Sequence, residues 1–241
     1  MFRGAWDSEG EWDGYRHLGW GERWGAGEMP VVADPEHPAD TGTGSSAFPG
    51  AHDARPFESS GAPGSVLTFT SDVLRQPMEW TGALRAKLFV RVGEGSADAS
   101  FLARVSDVYP DGRSILIADY TRLVSLRDGL NCPRKPLSAG EICALDFRIG
   151  WLSLIWAPGH RIRITIACTG GPLHETWNVS HGIKATHQLA FGAGQASHVL
   201  APMPCVRGVG EGAGVTGRRG EDGKEQGRAF LEELSKGIFP S

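Results

Sequence analysis

Apolar and polar positions alternate over several stretches between residues 65 and 202. In "LRAKLFVRV" (84–92), Leu84, Ala86, Leu88, Val90 and Val92 fall on one face, and Arg85, Lys87 and Arg91 fall on the other. In "HRIRITIAC" (160–168), Ile162, Ile164 and Ile166 oppose Arg161 and Arg163. A period of two with one apolar and one cationic face predicts strands of a sheet with one wet side, so both arginines are expected to solvate that face. "SFLARVSDV" (100–108) places Phe101, Ala103 and Val105 together. "SVLTFTS" (65–71), "RSILIADYTRLV" (113–124), "EICALDFRI" (141–149), "THQLAF" (186–191) and "SHVLAP" (197–202) complete a set of eight short strands. Turn residues separate them, which predicts an all-β sandwich. The best-formed turn lies in "DVYPDGRSILIAD" (107–119). There Pro110 pre-sets φ for the first central position, Asp111 tolerates the second, and Gly112 closes the turn.

The flanks lack this pattern. Residues 1–28 mix Trp6, Trp12, Trp20 and Trp24 with Gly, Asp and Glu, and no period fits them. They read as an irregular arm whose indoles dock onto something, since leaving such side chains in water forgoes roughly 1.5–3 kcal/mol each. Residues 29–64 are rich in Pro, Gly, Ser and Asp and read as a lead-in loop. The sandwich is expected over 65–205. Residues 206–241 are rich in Gly and charge and read as a flexible tail. Within the tail, 225–237 could form a short helix with Phe230, Leu231 and Leu234 on one side and Gly237 as its stop.

Composition narrows the function classes. The 241 residues can bury a core without staples, and 34 Gly with 15 Pro suit turn-rich β structure. A net charge of -4 with no long basic run argues against nucleic acid or an anionic membrane as the partner. No apolar run reaches the ~18–20 residues of a membrane span. Acidic residues in "MFRGAWDSEGEW" stand where a signal peptide would be apolar, so the chain reads as cytoplasmic. Cys132, Cys143, Cys168 and Cys205 have wide, irregular spacings, which fit buried thiols rather than a metal ribbon or disulfide scaffold.

Several segments together resemble one family. "VLTFTSD" (66–72), "EWTGALRAKLFV" (79–90), "DASFLARVSDVYPDGRSILIAD" (98–119) and "APGHRIRITI" (157–166) are similar to the C-terminal domain of X-prolyl dipeptidyl-peptidases and CocE/NonD hydrolases, a group that includes cocaine esterases and α-amino acid ester hydrolases. "DPEHPADTGTGSSAF" (34–48) and "DARPFE" (53–58) resemble the segment leading into that domain, and "ASHVLAP" (196–202) its last strand. The resemblance covers about residues 30–204 in collinear order. It implies a jelly-roll β-sandwich of the galactose-binding type, packed against an α/β-hydrolase domain with a Ser-Asp-His triad. It also implies that the stretch holding Phe48 runs close to the catalytic cleft, which makes Phe48 a candidate for lining the acyl pocket.

The catalytic signature of such a hydrolase is the nucleophile elbow, G-x-S-x-G. The nearest stretch is "NVSHG" (178–182), where Asn178 stands in place of the first glycine. His174, Glu175, His181 and His187 lie near Ser180, but "HETWN" is not H-E-x-x-H, so the two imidazoles of a zinc site are missing. This region reads as a polar loop with surface histidines. "NVS" also matches a glycosylation sequon, which carries little weight without a secretion signal. His160 reads as part of the turn that opens a strand. Trp151 and Trp156 read as core, or as surface that meets the hydrolase domain. No catalytic residue, metal ligand or cofactor is expected in this chain.

Three functions compete on these residues. The first is an accessory domain of a serine hydrolase (dipeptidyl-peptidase or esterase), inactive alone, whose partner is an α/β-hydrolase domain upstream or in trans. The second is a free-standing carbohydrate-binding module, which would need an exposed aromatic platform; Trp177 is the visible candidate. The third is a homo-oligomerisation domain in which the Trp-rich arm embraces a neighbour.

Overall fold

The computed structural model describes residues 15–19, 27–40, 53–96, 98–138, 140–171, 184–191 and 195–202. Trp6, Trp12, Trp20, Trp24, Phe48, His174, Glu175, Trp177, Ser180, His181, the sequon and the tail helix lie outside these residues. Among the described residues the elements run β1 (Tyr15–Gly19), β2 (Gly27–Ala33), β3 (Ala39–Asp40), α1 (Arg55–Ser59), β4 (Val66–Thr70), β5 (Met78–Arg91), β6 (Ser100–Val108), β7 (Ser114–Leu123), β8 (Ile142–Trp156), β9 (Arg161–Ala167), β10 (Gly170–Gly171), β11 (Ala185–Phe191) and β12 (His198–Pro202).

The all-β expectation holds: two antiparallel sheets supply the architecture. One orders β1-β12-β5-β11-β2, with β8 on the other edge of β5; the second orders β4-β9-β6-β7. The core lies between them. Trp80, Leu84, Ala86, Leu88 and Val90 of β5 meet Leu145, Phe147 and Trp156 of β8, Phe101, Ala103 and Val105 of β6, and Ile164 and Ile166 of β9. All of these are 4% exposed or less.

Two strands are longer than the alternation suggested. β5 begins at Met78 and β8 continues to Trp156, with a register shift opposite Leu84 and Arg85. The extra residue is Ile149 of β8, so the side-chain phase of β8 changes there, while β5 keeps Trp80, Leu84 and Ala86 on one face. Two further strands, β1 and β2, fall in or across the region read as irregular. β1 pairs with β12 and β2 with β11, both antiparallel. Each is held by a neighbour's backbone ladder.

The hairpin turn forms as the residues dictate. Gly112 N–H donates to Tyr109 O at 3.0 Å, and Tyr109 N–H donates to Arg113 O at 2.8 Å. The Asp111 carboxylate accepts from Arg113 N–H at 3.1 Å. Gly112 sits at φ 88°. A Cβ there would meet nothing within 4 Å, so the objection to a side chain is backbone strain alone. Gly112→Val is expected to destabilise the sandwich by about 1 kcal/mol or more. An unshifted denaturant midpoint would contradict this.

Candidate functional site

Two short strands lie side by side at one end of the sandwich. β3 and β10 pair in parallel, Gly170 with Ala39 and Gly171 with Asp40. From Asp40 the chain enters 41–52, which holds Phe48, and returns at Asp53. From Gly171 it enters 172–183, which holds His174, Ser180 and His181, and returns at Lys184. The two segments singled out in the sequence therefore start from adjacent backbone.

The feet of both segments are pinned. Asp40 N–H donates to Ser60 Oγ at 2.7 Å, closing the base of the first segment. Gly61 makes this closure possible: a Cβ there would lie 2.5 Å from Ser65 Oγ and 3.1 Å from Ala39 N. The base of the second is tied to the end of β2. The buried Asp34 carboxylate takes Lys184 Nζ at 2.8 Å and Glu36 N–H at 3.1 Å, and His37 Nδ1 lies at 3.4 Å. Chiefly through the Lys184 hydrogen bond, the Asp34 carboxyl is held below the ordinary carboxylate range. Asp34, Glu36 and His37 bring one ligand atom each within 4.8 Å of one another. Lys184 already neutralises Asp34, so this cluster acts as an ion-pair clamp and offers a cation little uncompensated charge.

Beyond Asp53 a strap lies over the outer face of the second sheet. Asp53 bridges to Ile115, and Ala54 N–H donates to Ser114 O at 2.6 Å. Ser114 Oγ donates to Glu58 Oε1 at 2.7 Å, and Arg163 pairs with the other Glu58 oxygen. Phe57 is buried, with the Arg104 guanidinium 4.1 Å from its ring centroid. Arg104 in turn pairs with Asp119 at 2.8 Å. This corrects the expectation that the face of Arg163 is solvated. The strap covers it, and the alternation in β9 reports a polar layer under cover. Arg161, also half-buried, donates to Ser71 O at 3.0 Å.

The remaining sequence candidates are placed as follows. His160 sits at the opposite end of the sandwich, its Nδ1 2.9 and 3.0 Å from the two Asp107 oxygens. Tyr109 lies against its ring at 4.3 Å between centroids. Among the described residues no serine is bonded to this pair, and the geometry ties β9 to the hairpin. His187 is not a surface histidine. It lies on β11 with its side chain fully buried, because its position in the alternation faces the core. Trp156 is core, edge-on to Trp80 at 5.0 Å, whereas Trp151 is 63% exposed. Sequence reasoning missed Asp34, Lys184 and Glu58, since isolated charges in loops carry no periodic signal of their partners.

Residues 13–200 match the X-Pro dipeptidyl-peptidase C-terminal non-catalytic domain. The chain belongs to this family. This C-terminal domain is 31% identical over 148 residues to the cocaine esterase of Rhodococcus sp., covering 57% of the chain and 25% of that protein. Its fold is that of an α-amino acid ester hydrolase structure, with a TM-score of 0.63 at 20% identity. It is also that of an aminopeptidase from a marine-sediment Thaumarchaeota archaeon, with a TM-score of 0.64 at 19% identity. The match covers 74% of the chain and 33% of the solved chain in the first case, and 73% and 33% in the second. The domain thus spans a quarter to a third of the length of these relatives. Among its described residues, no helix is long and apolar enough to cross a membrane.

Proposed function

We propose that this C-terminal domain is the accessory sandwich of a serine hydrolase and meets an α/β-hydrolase catalytic domain through its loop end. The observation that carries this reading is the parallel β3–β10 pair. It sets Asp40 and Gly171, the described residues from which 41–52 and 172–183 continue, side by side on a base held by Asp34, Lys184, Ser60 and Gly61. A fixed base of this kind is what a substrate pocket shared between domains requires of the residues that carry its loops. In this reading Phe48 lines the acyl side of the pocket, and the activity of the assembled enzyme is ester or X-Pro peptide hydrolysis. The jelly-roll, galactose-binding type of sandwich is the fold assignment that goes with it.

The purified chain should show no hydrolysis of p-nitrophenyl esters or X-Pro amides above background. Joined to, or mixed with, the hydrolase part of a cocaine-esterase-type relative, it should support turnover. Phe48→Ala should then change KM more than kcat, as expected for a group that binds the acyl side without touching the reacting atoms. Turnover by the chain alone, lost on Ser180→Ala, would move the active site into 172–183. A Phe48→Ala assembly with unchanged kinetics would remove Phe48 from the pocket.

A further inference from the structure

We propose that Arg122 receives a carboxylate of the catalytic domain at the open side of the sandwich, between β7 and β8; this contact rests on the reading of the chain as a hydrolase's accessory sandwich. Arg122 stands on β7 opposite Phe101, and Tyr120, two residues before it, stands opposite Ala103. Phe101 and Ala103 are core, so both side chains lie on the inner face of their sheet. β8 lies across from them. Tyr120 meets Phe147 at 6.0 Å between centroids, and a Cβ on Gly150 would lie 3.4 Å from that of Ala118. The Arg122 guanidinium packs 5.7 Å from the Tyr120 ring centroid. Its Nε and Nη1 are buried, and neither finds an acceptor among the described residues. Tyr120 is 36% exposed, so the place is open to the outside.

Chemistry and position both make this cation a receiving site. A guanidinium held against an aromatic ring, with nitrogens shut off from water, loses hydration and gains no hydrogen bond in return. Its planar fork of donors matches a carboxylate, which supplies the missing acceptors and the opposite charge. Among the described residues β7 pairs with β6 alone beyond the Ile115–Asp53 bridge, and β8 pairs with β5 alone, so no strand closes this side. Leu102, next to Phe101 on β6, pairs with Ala167, the last residue of β9. Arg122 is therefore level with the end of β9, from which β10 and the segment 172–183 continue. It stands two strand spacings across the sheet from it, about 10 Å. A domain that meets this end of the sandwich reaches Arg122 as well. The chain spans a quarter to a third of its relatives' length, so most of such a protein lies outside it, and that part supplies the carboxylate.

Two measurements test this. In the chain alone, Arg122→Met keeps an aliphatic stem and removes the unpaired charge, so the denaturant midpoint should hold or rise. A midpoint that falls would show that the guanidinium is already paired within the chain and would overturn the proposal. Mixed with the hydrolase part of a cocaine-esterase-type relative, the Arg122→Met chain should bind at least tenfold more weakly than the wild type, and Arg122→Lys should recover part of the loss. Equal binding by the wild type and Arg122→Met would overturn this contact and leave the hydrolase reading standing. No binding by the wild type would remove that reading, and this contact with it. Equal binding, together with a midpoint that phosphate raises in the wild type and not in Arg122→Met, would give the site to a free anion instead.

Discussion

Replacing Trp156 by alanine is expected to cost the domain about 3–5 kcal/mol. Trp156 ends β8, is fully buried, and meets Trp80 edge-on at 5.0 Å. Removing the indole leaves a void between two sheets whose strands are fixed by their ladders, so the walls relax only in part. The edge-to-face pair is lost as well. Against a typical domain stability of about 5–15 kcal/mol this is a large fraction. Trp151, five residues earlier on the same strand, is the internal control. Mostly exposed, it should cost less than about 0.5 kcal/mol when truncated. Denaturant titrations of both variants decide the matter, and equal midpoint shifts would contradict the assignment of Trp156 to the core and Trp151 to the surface.

Acid should destabilise the domain in a window set by His187. Its Nδ1 accepts a hydrogen bond from Gly93 N–H at 3.1 Å, so the neutral ring carries its proton on Nε2. The ring is buried, with Phe101 at 5.8 Å between centroids. Burial lowers the pKa from 6.5 to about 4. Protonation would place a charge in the core and remove the acceptor that Gly93 uses. Because the folded-state value lies below the unfolded one, the contribution is fully present above pH 6.5. It is lost as pH falls toward about 4, by roughly 3 kcal/mol in all. The depressed Asp34 carboxyl acts in a separate window, below the ordinary carboxylate value of 3.8. Unfolding free energies at pH 7 and pH 4.5, compared with His187→Asn, isolate the histidine. Asparagine can keep an acceptor toward Gly93 but does not titrate. The same pH slope in both proteins would show that the acid sensitivity comes from elsewhere.

What residue order determines by itself is local. The two-residue alternation of 84–92 and 160–168 and the turn chemistry of Pro110, Asp111 and Gly112 depend on neighbours in sequence, and they were sufficient for an all-β sandwich. The absence of a nucleophile elbow was equally legible, because that motif is contiguous. The family was readable from collinear segments, and the match over residues 13–200 bears it out.

Tertiary structure decided the rest, because the deciding contacts join residues far apart in the chain. β1 and β2 exist through pairing with β12 and β11. The extra residue Ile149 in the β5–β8 ladder shifted the side-chain phase of β8 and hid that strand's full length. Arg163 has the alternation of a wet face, yet Glu58, from a segment 105 residues away, covers and pairs it. His187 looked like a loop histidine and is core, since its strand and not its composition sets its direction. The base of the candidate site needed Asp34 to meet Lys184 across 150 residues and Ala39 to lie beside Gly170. Alternation tells which side chains share a face. Which face is covered, and by what, follows from how the sheets and the strap close in space.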